Sequence, residues 1–119
     1  MESLTLQKAV LGEITEGEVI KDIHERIVRS FLDVVVLMEV RNKPLSGYDV
    51  IDLVHKKFNM LLSSGTVYSL VYSLERNGLI KAIWNQRRRE YLLTEKGKET
   101  TKIILNARDR IKALTSTVF

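Results

Sequence analysis

Two clusters of side chains in this sequence are of the kind that grip a polyanion. The first lies in Ser64-Gly65-Thr66-Val67-Tyr68-Ser69-Leu70-Val71-Tyr72-Ser73-Leu74-Glu75-Arg76. As a helix, this stretch turns Val67, Leu70, Val71 and Leu74 to one side, at spacings of three and four. The other side carries Gly65, Tyr68, Ser69, Tyr72 and Arg76, with Ser73 at its margin and Ser64 and Thr66 near the N-terminus. Small residues let a backbone come close, Tyr and Arg reach further, and a helix N-terminus attracts phosphate oxygens. No acid precedes Glu75 on this stretch. The second cluster is Arg87-Arg88-Arg89, three adjacent guanidinium groups. Duplex DNA offers matching features: phosphates that attract cations and a major groove that admits one helix.

No arrangement of residues that signals catalysis is visible in the sequence. There is no Cys, so thiol chemistry, disulfides and thiolate metal sites are excluded. The two His, His24 and His55, stand among charged residues and read as surface side chains. No Gly-rich phosphate loop or Ser-His-Asp set is visible. The expectation is therefore a non-enzyme with no cofactor and no metal. The longest apolar run is Val34 to Met38, far short of the ~20 residues that span a bilayer. The start of the chain lacks a basic, apolar signal pattern, so the cytoplasm is the expected location.

Charge is polarised along the chain. The formal net charge is +4. Residues 1–40 carry 4 basic and 8 acidic side chains, residues 41–80 carry 5 and 3, and residues 81–119 carry 10 and 4. The segment charges are thus −4, +2 and +6. A basic C-terminal part behind an acidic front suits a molecule with one polyanion-binding face.

The elements that must position these groups follow from periodicity and capping residues. With 119 residues the chain suits a single domain. Residues 2–15 could form a short amphipathic helix ended by Gly17. Val19 to Val40 reads as one long helix through Ile23, Ile27, Phe31, Val34, Val35 and Met38, its second half apolar on nearly all sides. Arg41 to Pro44 ends it. Ser46 and Asp49 form a capping box for a second helix over about 47–58. Ser63 and Ser64 cap the third, which Asn77-Gly78 stops. Leu79 to Trp84 and Tyr91 to Thr94 read as a strand pair, with the arginines in the loop between them. Thr94 caps a last helix whose face carries Ile103, Ile104, Ala107, Ile111, Leu114 and Val118. The fold class is mainly α with a small β-hairpin: a winged helix-turn-helix plus a long C-terminal helix.

At this point a resemblance adds weight. Gly47-Tyr48-Asp49-Val50, Ser64 to Tyr68, Leu74 to Ile80 and Arg87 to Gly97 together resemble the PadR-like family of transcriptional regulators, over roughly residues 24–102. The resemblance implies a winged-helix DNA-binding domain, a dimer formed largely by the C-terminal helix, and repression of a promoter, commonly relieved by a small ligand. Tyr68 and its neighbours then lie on the recognition helix, and Arg87 to Arg89 form the wing. Two departures stand out: Ser69 follows the recognition-helix Tyr where relatives usually have Pro, and Asn85-Gln86 occupies a wing tip that often holds Gly. A single C-terminal helix places the chain with the short branch. The lone Trp84 sits in the first wing strand, which does not support the drug-stacking mode of some relatives.

The expected organisation is an N-terminal extension over 1–22, a winged-helix domain over 23–95 and a dimerisation helix over 96–119. A last helix of 24 residues would reach ~36 Å, too long to pack fully on so small a domain. Its stripe (Ile103, Ile104, Ala107, Ile111, Leu114, Val118) therefore seeks a second copy of the chain, an interface to which the N-terminal extension can add; the alternative is intramolecular packing of residues 2–15 against this helix. The expected DNA contacts are Ser64, Gly65, Thr66, Tyr68, Ser69, Tyr72, Ser73, Arg76, Arg87, Arg88 and Arg89. The competing reading is a winged-helix module that binds proteins and not DNA, since fold does not fix function.

Overall fold

The computed structural model describes Gly12 and residues 14–119. The expected helix over 2–15 lies outside the described residues. The chain divides into two compact units, one ending at Leu32 and the other running from Asp33 to Phe119.

Helix α1, Glu16–Ser30, starts at Thr15, whose side chain accepts the Glu18 N–H at 3.2 Å. Gly17, expected as a helix stop, instead sits in this first turn. A second correction follows at Phe31. The single helix expected over 19–40 is two, with α2 spanning Leu32–Asn42. Phe31 leaves helical geometry at φ −117° and ψ 20°, its N–H shared between the Ile27 and Val28 carbonyls. Just before it, the Ser30 hydroxyl donates to the Arg26 carbonyl at 2.8 Å. Such back-bonding competes with the helical ladder and bends it. No Gly or Pro announces the break.

In the second unit, Val36, Leu37 and Val40 of α2 are buried. Helix α3, Gly47–Phe58, opens with the expected capping box. Ser46 Oγ accepts the Asp49 N–H at 3.1 Å, and Asp49 Oδ2 accepts the Ser46 N–H at 2.9 Å. The helix ends at Asn59, which is left-handed at φ 54°. Helix α4, Ser64–Arg76, is capped by Ser63, whose Oγ accepts the Thr66 N–H. Its stop matches expectation. Gly78 takes φ 76°, and Leu79 N–H reaches back to the Leu74 carbonyl while Gly78 N–H reaches Glu75. This double bond pattern closes a helix whose end requires a left-handed residue.

Strands β1, Ile80–Asn85, and β2, Arg88–Leu93, pair antiparallel from Ile80↔Leu93 to Asn85↔Arg88. The long arginine-bearing loop is corrected to a two-residue turn. Gln86 and Arg87 both have positive φ, 50° and 69°, so β2 begins at Arg88. Consecutive positive φ values match the right-handed twist of the flanking strands, which favours tight closure. Leu45 bridges to Tyr91 as a one-residue third strand. Val50, Val54, Val67, Val71, Leu74, Ile80, Tyr91 and Leu93 form the centre of this unit's core.

Helix α5, Glu95–Asn106, is capped by Thr94 and sits against the α4–β1 turn. At Gly97 an added Cβ would lie 2.1 Å from the Leu79 carbonyl oxygen, so only Gly fits. The C-terminal stretch is helical almost to the end, but not as one uninterrupted helix. At Ala107 it bends into α6, Arg108–Ala113, and a 3-10 turn over Leu114–Thr117. Ladder bonds cross the bend, from Ala107 N–H to Ile103 and from Ile111 N–H to Ala107. Every residue from Arg108 onward is exposed. None of the described residues covers this stretch. Among the described residues, no helix is long and apolar enough to cross a membrane.

Candidate nucleic-acid interface

Helix α4 is held by its inner stripe. Val67, Val71 and Leu74 are buried, which fixes the rotation of the helix and turns the opposite side outward. Ser64, Gly65, Thr66, Tyr68, Ser69, Tyr72 and Arg76 are all exposed, and Ser73 is half-buried at the margin. Tyr68 and Tyr72, one turn apart, tilt toward each other with ring centroids 6.2 Å apart. Gly47 makes room for the first of them: a Cβ there would meet the Tyr68 ring at 3.2 Å. The outer side of α4 is therefore an open surface of hydroxyls, two aromatic rings and one guanidinium.

The three arginines do not act as one cluster. Arg87 occupies the turn, exposed, with no ion pair among the described residues. Arg88 reaches back to the start of α3. Its Nη2 contacts the Asp49 carboxylate and donates to Ser46 Oγ at 3.1 Å, while Nε lies 3.3 Å from Glu90. Burial pushes the Asp49 carboxyl up, but hydrogen bonds from Arg88 and the Ser46 N–H, with the Arg88 charge, outweigh it and hold the group below the usual range. Arg89 turns to the other side of the strand. Its Nε donates to the Tyr91 hydroxyl at 3.1 Å, and its Nη2 lies 3.5 Å from Glu75 at the end of α4. The one acid on α4 is thus answered by the hairpin.

Two more exposed side chains are not singled out by sequence reasoning. Tyr48, in the first turn of α3, is 73% exposed, and Leu61, in the α3–α4 turn, is 74% exposed. Tyr48 lies off the Val50–Val54 stripe, a signal available from periodicity. Leu61 gave no such sign, because the irregular turn residues have no face to read. Ser46, Gly47, Tyr48, Tyr68, Arg88, Arg89 and Tyr91 together line an open cavity of about 350 Å³ where α3, α4 and the hairpin meet. Trp84, across from Arg89, is exposed on β1.

A helix-turn-helix with an open second helix, followed by a basic hairpin, is the layout of a winged-helix regulator. The family model of the transcriptional regulator PadR-like family matches residues 36–103, more than half of the chain. The chain belongs to the PadR-like family. PadR-like proteins are DNA-binding transcriptional regulators and not enzymes, and the matched span takes in α3, α4, the hairpin and most of α5. Solved structures share the PadR-like fold. A transcriptional regulator from Clostridium thermocellum superposes with a TM-score of 0.65 at 23% identity, over 77% of this chain and 93% of that one. A PadR family transcription regulator from Clostridium difficile R20291 gives 0.63 at 23% identity, over 75% and 99%. A PadR family regulator from Eggerthella lenta DSM 2243 gives 0.69 at 19%, over 86% and 93%. No curated protein matches the chain.

Proposed function

We propose that this PadR-like chain binds duplex DNA as a homodimer, with α4 of each copy in a major groove and the hairpin on the adjacent backbone or minor groove. The exposed outer side of α4 carries this reading. Ser64, Gly65, Thr66, Ser69 and Ser73 allow close approach, while Tyr68, Tyr72 and Arg76 reach base edges or phosphates. Arg87, in the turn, is exposed and has no ion pair among the described residues, which leaves its guanidinium available to DNA. The potential of DNA is most negative in a narrow minor groove, which suits a guanidinium there.

The second copy is called for by the C-terminal stretch. Ile103, Leu114 and Val118 are 61%, 62% and 75% exposed, and Ile111 is exposed as well. Together with the half-buried Ile104 and Ala107 they recur at spacings of three and four. An apolar stripe of this kind, left uncovered by the described residues, pairs naturally with its copy. A two-fold pair sets two recognition helices ~34 Å apart, one turn of the duplex. The target is then a near-palindrome. Bound at a promoter, such a dimer obstructs transcription, which makes a repressor the simplest role. A small ligand that alters the dimer would relieve it. The reading places the protein in the cytoplasm with its DNA.

The test is binding-site selection from a random duplex pool with the wild-type protein, Tyr72→Ala and Arg76→Ala. The wild type is expected to return a near-palindromic consensus, and each variant to relax different positions within the half-sites. Identical consensus sequences from all three would remove α4 from the readout. Failure of the wild type to enrich any duplex would favour a protein-binding module.

A further inference from the structure

The outer half of the hairpin has little apolar anchorage. Burial along β1 and β2 is concentrated at the base, in Ile80, Tyr91 and Leu93, whereas Trp84 to Arg89 are all exposed. The bridge to Leu45 also holds only the base, at Tyr91. Something else must decide where the tip points. Among the described residues, the ion pairs that reach from the outer half to the helices are those of two arginines: Arg88 to α3 and Arg89 to α4.

Of the two, Arg88 meets the better-prepared partner. Asp49 is already fixed by its bond from the Ser46 N–H, and Ser46 by its bond from the Asp49 N–H. The capping box therefore presents a carboxylate and a hydroxyl in rigid register, 39 positions away in sequence, and one guanidinium nitrogen takes both. Glu90, the second neighbour along β2, lies 3.3 Å from Nε. With Nε and Nη2 engaged, the Nη1 group is what remains of the five donors for a phosphate. Arg87, next to it, has all of its donors free of ion pairs among the described residues.

We propose that Arg88 is a positioning residue, latching the wing to the capping box of α3 so that the tip presents Arg87 to DNA, with Asp49 as the anchor of the latch. This rests on the DNA-binding reading above and divides the labour within the arginine run. It also makes a prediction opposite in sign to simple Coulomb attraction. Asp49 is a negative charge close to the proposed DNA surface. If charge alone mattered, removing it would tighten DNA binding and free Arg88 for a phosphate. If the latch matters, removing it loosens the wing and weakens binding.

The experiment compares wild type, Asp49→Asn, Arg88→Ala, Arg88→Lys and the Asp49→Asn/Arg88→Ala double variant. Binding is read by fluorescence anisotropy at several salt concentrations, on a labelled duplex selected by the wild-type protein. Asp49 Oδ2 accepts both the Ser46 N–H and Arg88, so Asn at 49 keeps the cap of α3 while the latch loses its charge, which makes a charge-assisted bond a weaker neutral one. A tip that spends about a tenth of its time in the competent orientation loses about tenfold in apparent affinity. The latch therefore predicts that Asp49→Asn weakens binding about tenfold with the salt slope unchanged. Arg88→Ala should do the same, and the double variant no more than either single one. Arg88→Lys, which keeps the charge without the fork, should also weaken binding. Unchanged or tighter binding by Asp49→Asn would overturn the latch. So would a salt slope reduced by ~0.9 per wing in Arg88→Ala, the mark of a lost phosphate contact.

A second readout needs no DNA. Amide exchange over 84–89 is expected to speed up in Asp49→Asn and Arg88→Ala, while the helical core stays protected. Unchanged exchange there would overturn the latch even if the duplex-binding reading itself had failed.

Discussion

The turn residue Arg87 offers a perturbation whose effects on stability and on binding have opposite signs. Its φ of 69° is left-handed, and no Gly occupies the turn. A left-handed conformation costs an L-residue roughly 1–2 kcal/mol, and Gly nothing. Gly brings a greater loss of freedom on folding, about 0.5–1 kcal/mol. The difference leaves Arg87→Gly more stable by about 0.5–1 kcal/mol, or roughly 2–5 °C in Tm for a domain of this size. Arg87→Ala keeps the strained conformation and should show no such gain. Both variants remove the same cation. Each lost phosphate contact lowers the slope of log K against log salt by ~0.9, so two wings lower it by ~1.8. At about 0.1 M salt one such contact is equivalent to roughly eightfold in affinity. Calorimetry and anisotropy titrations on the two variants give all four numbers. A Tm that falls in Arg87→Gly refutes the strain argument. A salt slope that stays at the wild-type value in both refutes the placement of the tip on phosphates.

The remaining predictions concern the frame and the assembly. Gly97→Ala puts a methyl group against the Leu79 carbonyl, where the gap is 2.1 Å, so α5 must shift or the turn must open. A loss of ~2–3 kcal/mol is expected by denaturant unfolding, within the range of overpacked sites. A midpoint equal to that of the wild type would show that α5 does not seat there. Leu114→Asp adds a charge to the exposed C-terminal stripe, 62% open in the single chain. Sedimentation is expected to show a monomer with wild-type helical content, whereas a persistent dimer would put the interface elsewhere.

Local chemistry made several parts of the interface legible. The Ser46–Asp49 box, the Ser63 cap and the Asn77-Gly78 stop are interactions within a few residues, and each appears where capping rules place it. The inner stripe of α4 is equally local, because 3.6-residue periodicity alone turns Tyr68, Tyr72 and Arg76 away from Val67 and Val71. The turn at Gln86-Arg87 is not legible in the sequence, because neither residue is the Gly or Asn that ordinarily signals positive φ. The break at Phe31 leaves no mark in the sequence, because apolar spacing runs through it without interruption and a Ser30 hydroxyl carries no weight in that pattern.

From its sequence alone, then, this protein was assigned a helix-turn-helix with a basic hairpin and a recognition surface on Ser64–Arg76, because caps, stripes and turn residues act over one or two helical turns. The partition of Arg87, Arg88 and Arg89 was decided only by tertiary structure. Adjacent residues on a strand point to opposite faces, and what each face meets depends on partners far away in the chain. Asp49 and Glu75 lie 39 and 14 positions from the arginines they bind. No local rule brings them together; the packing of α3, α4 and the hairpin around a shared core does.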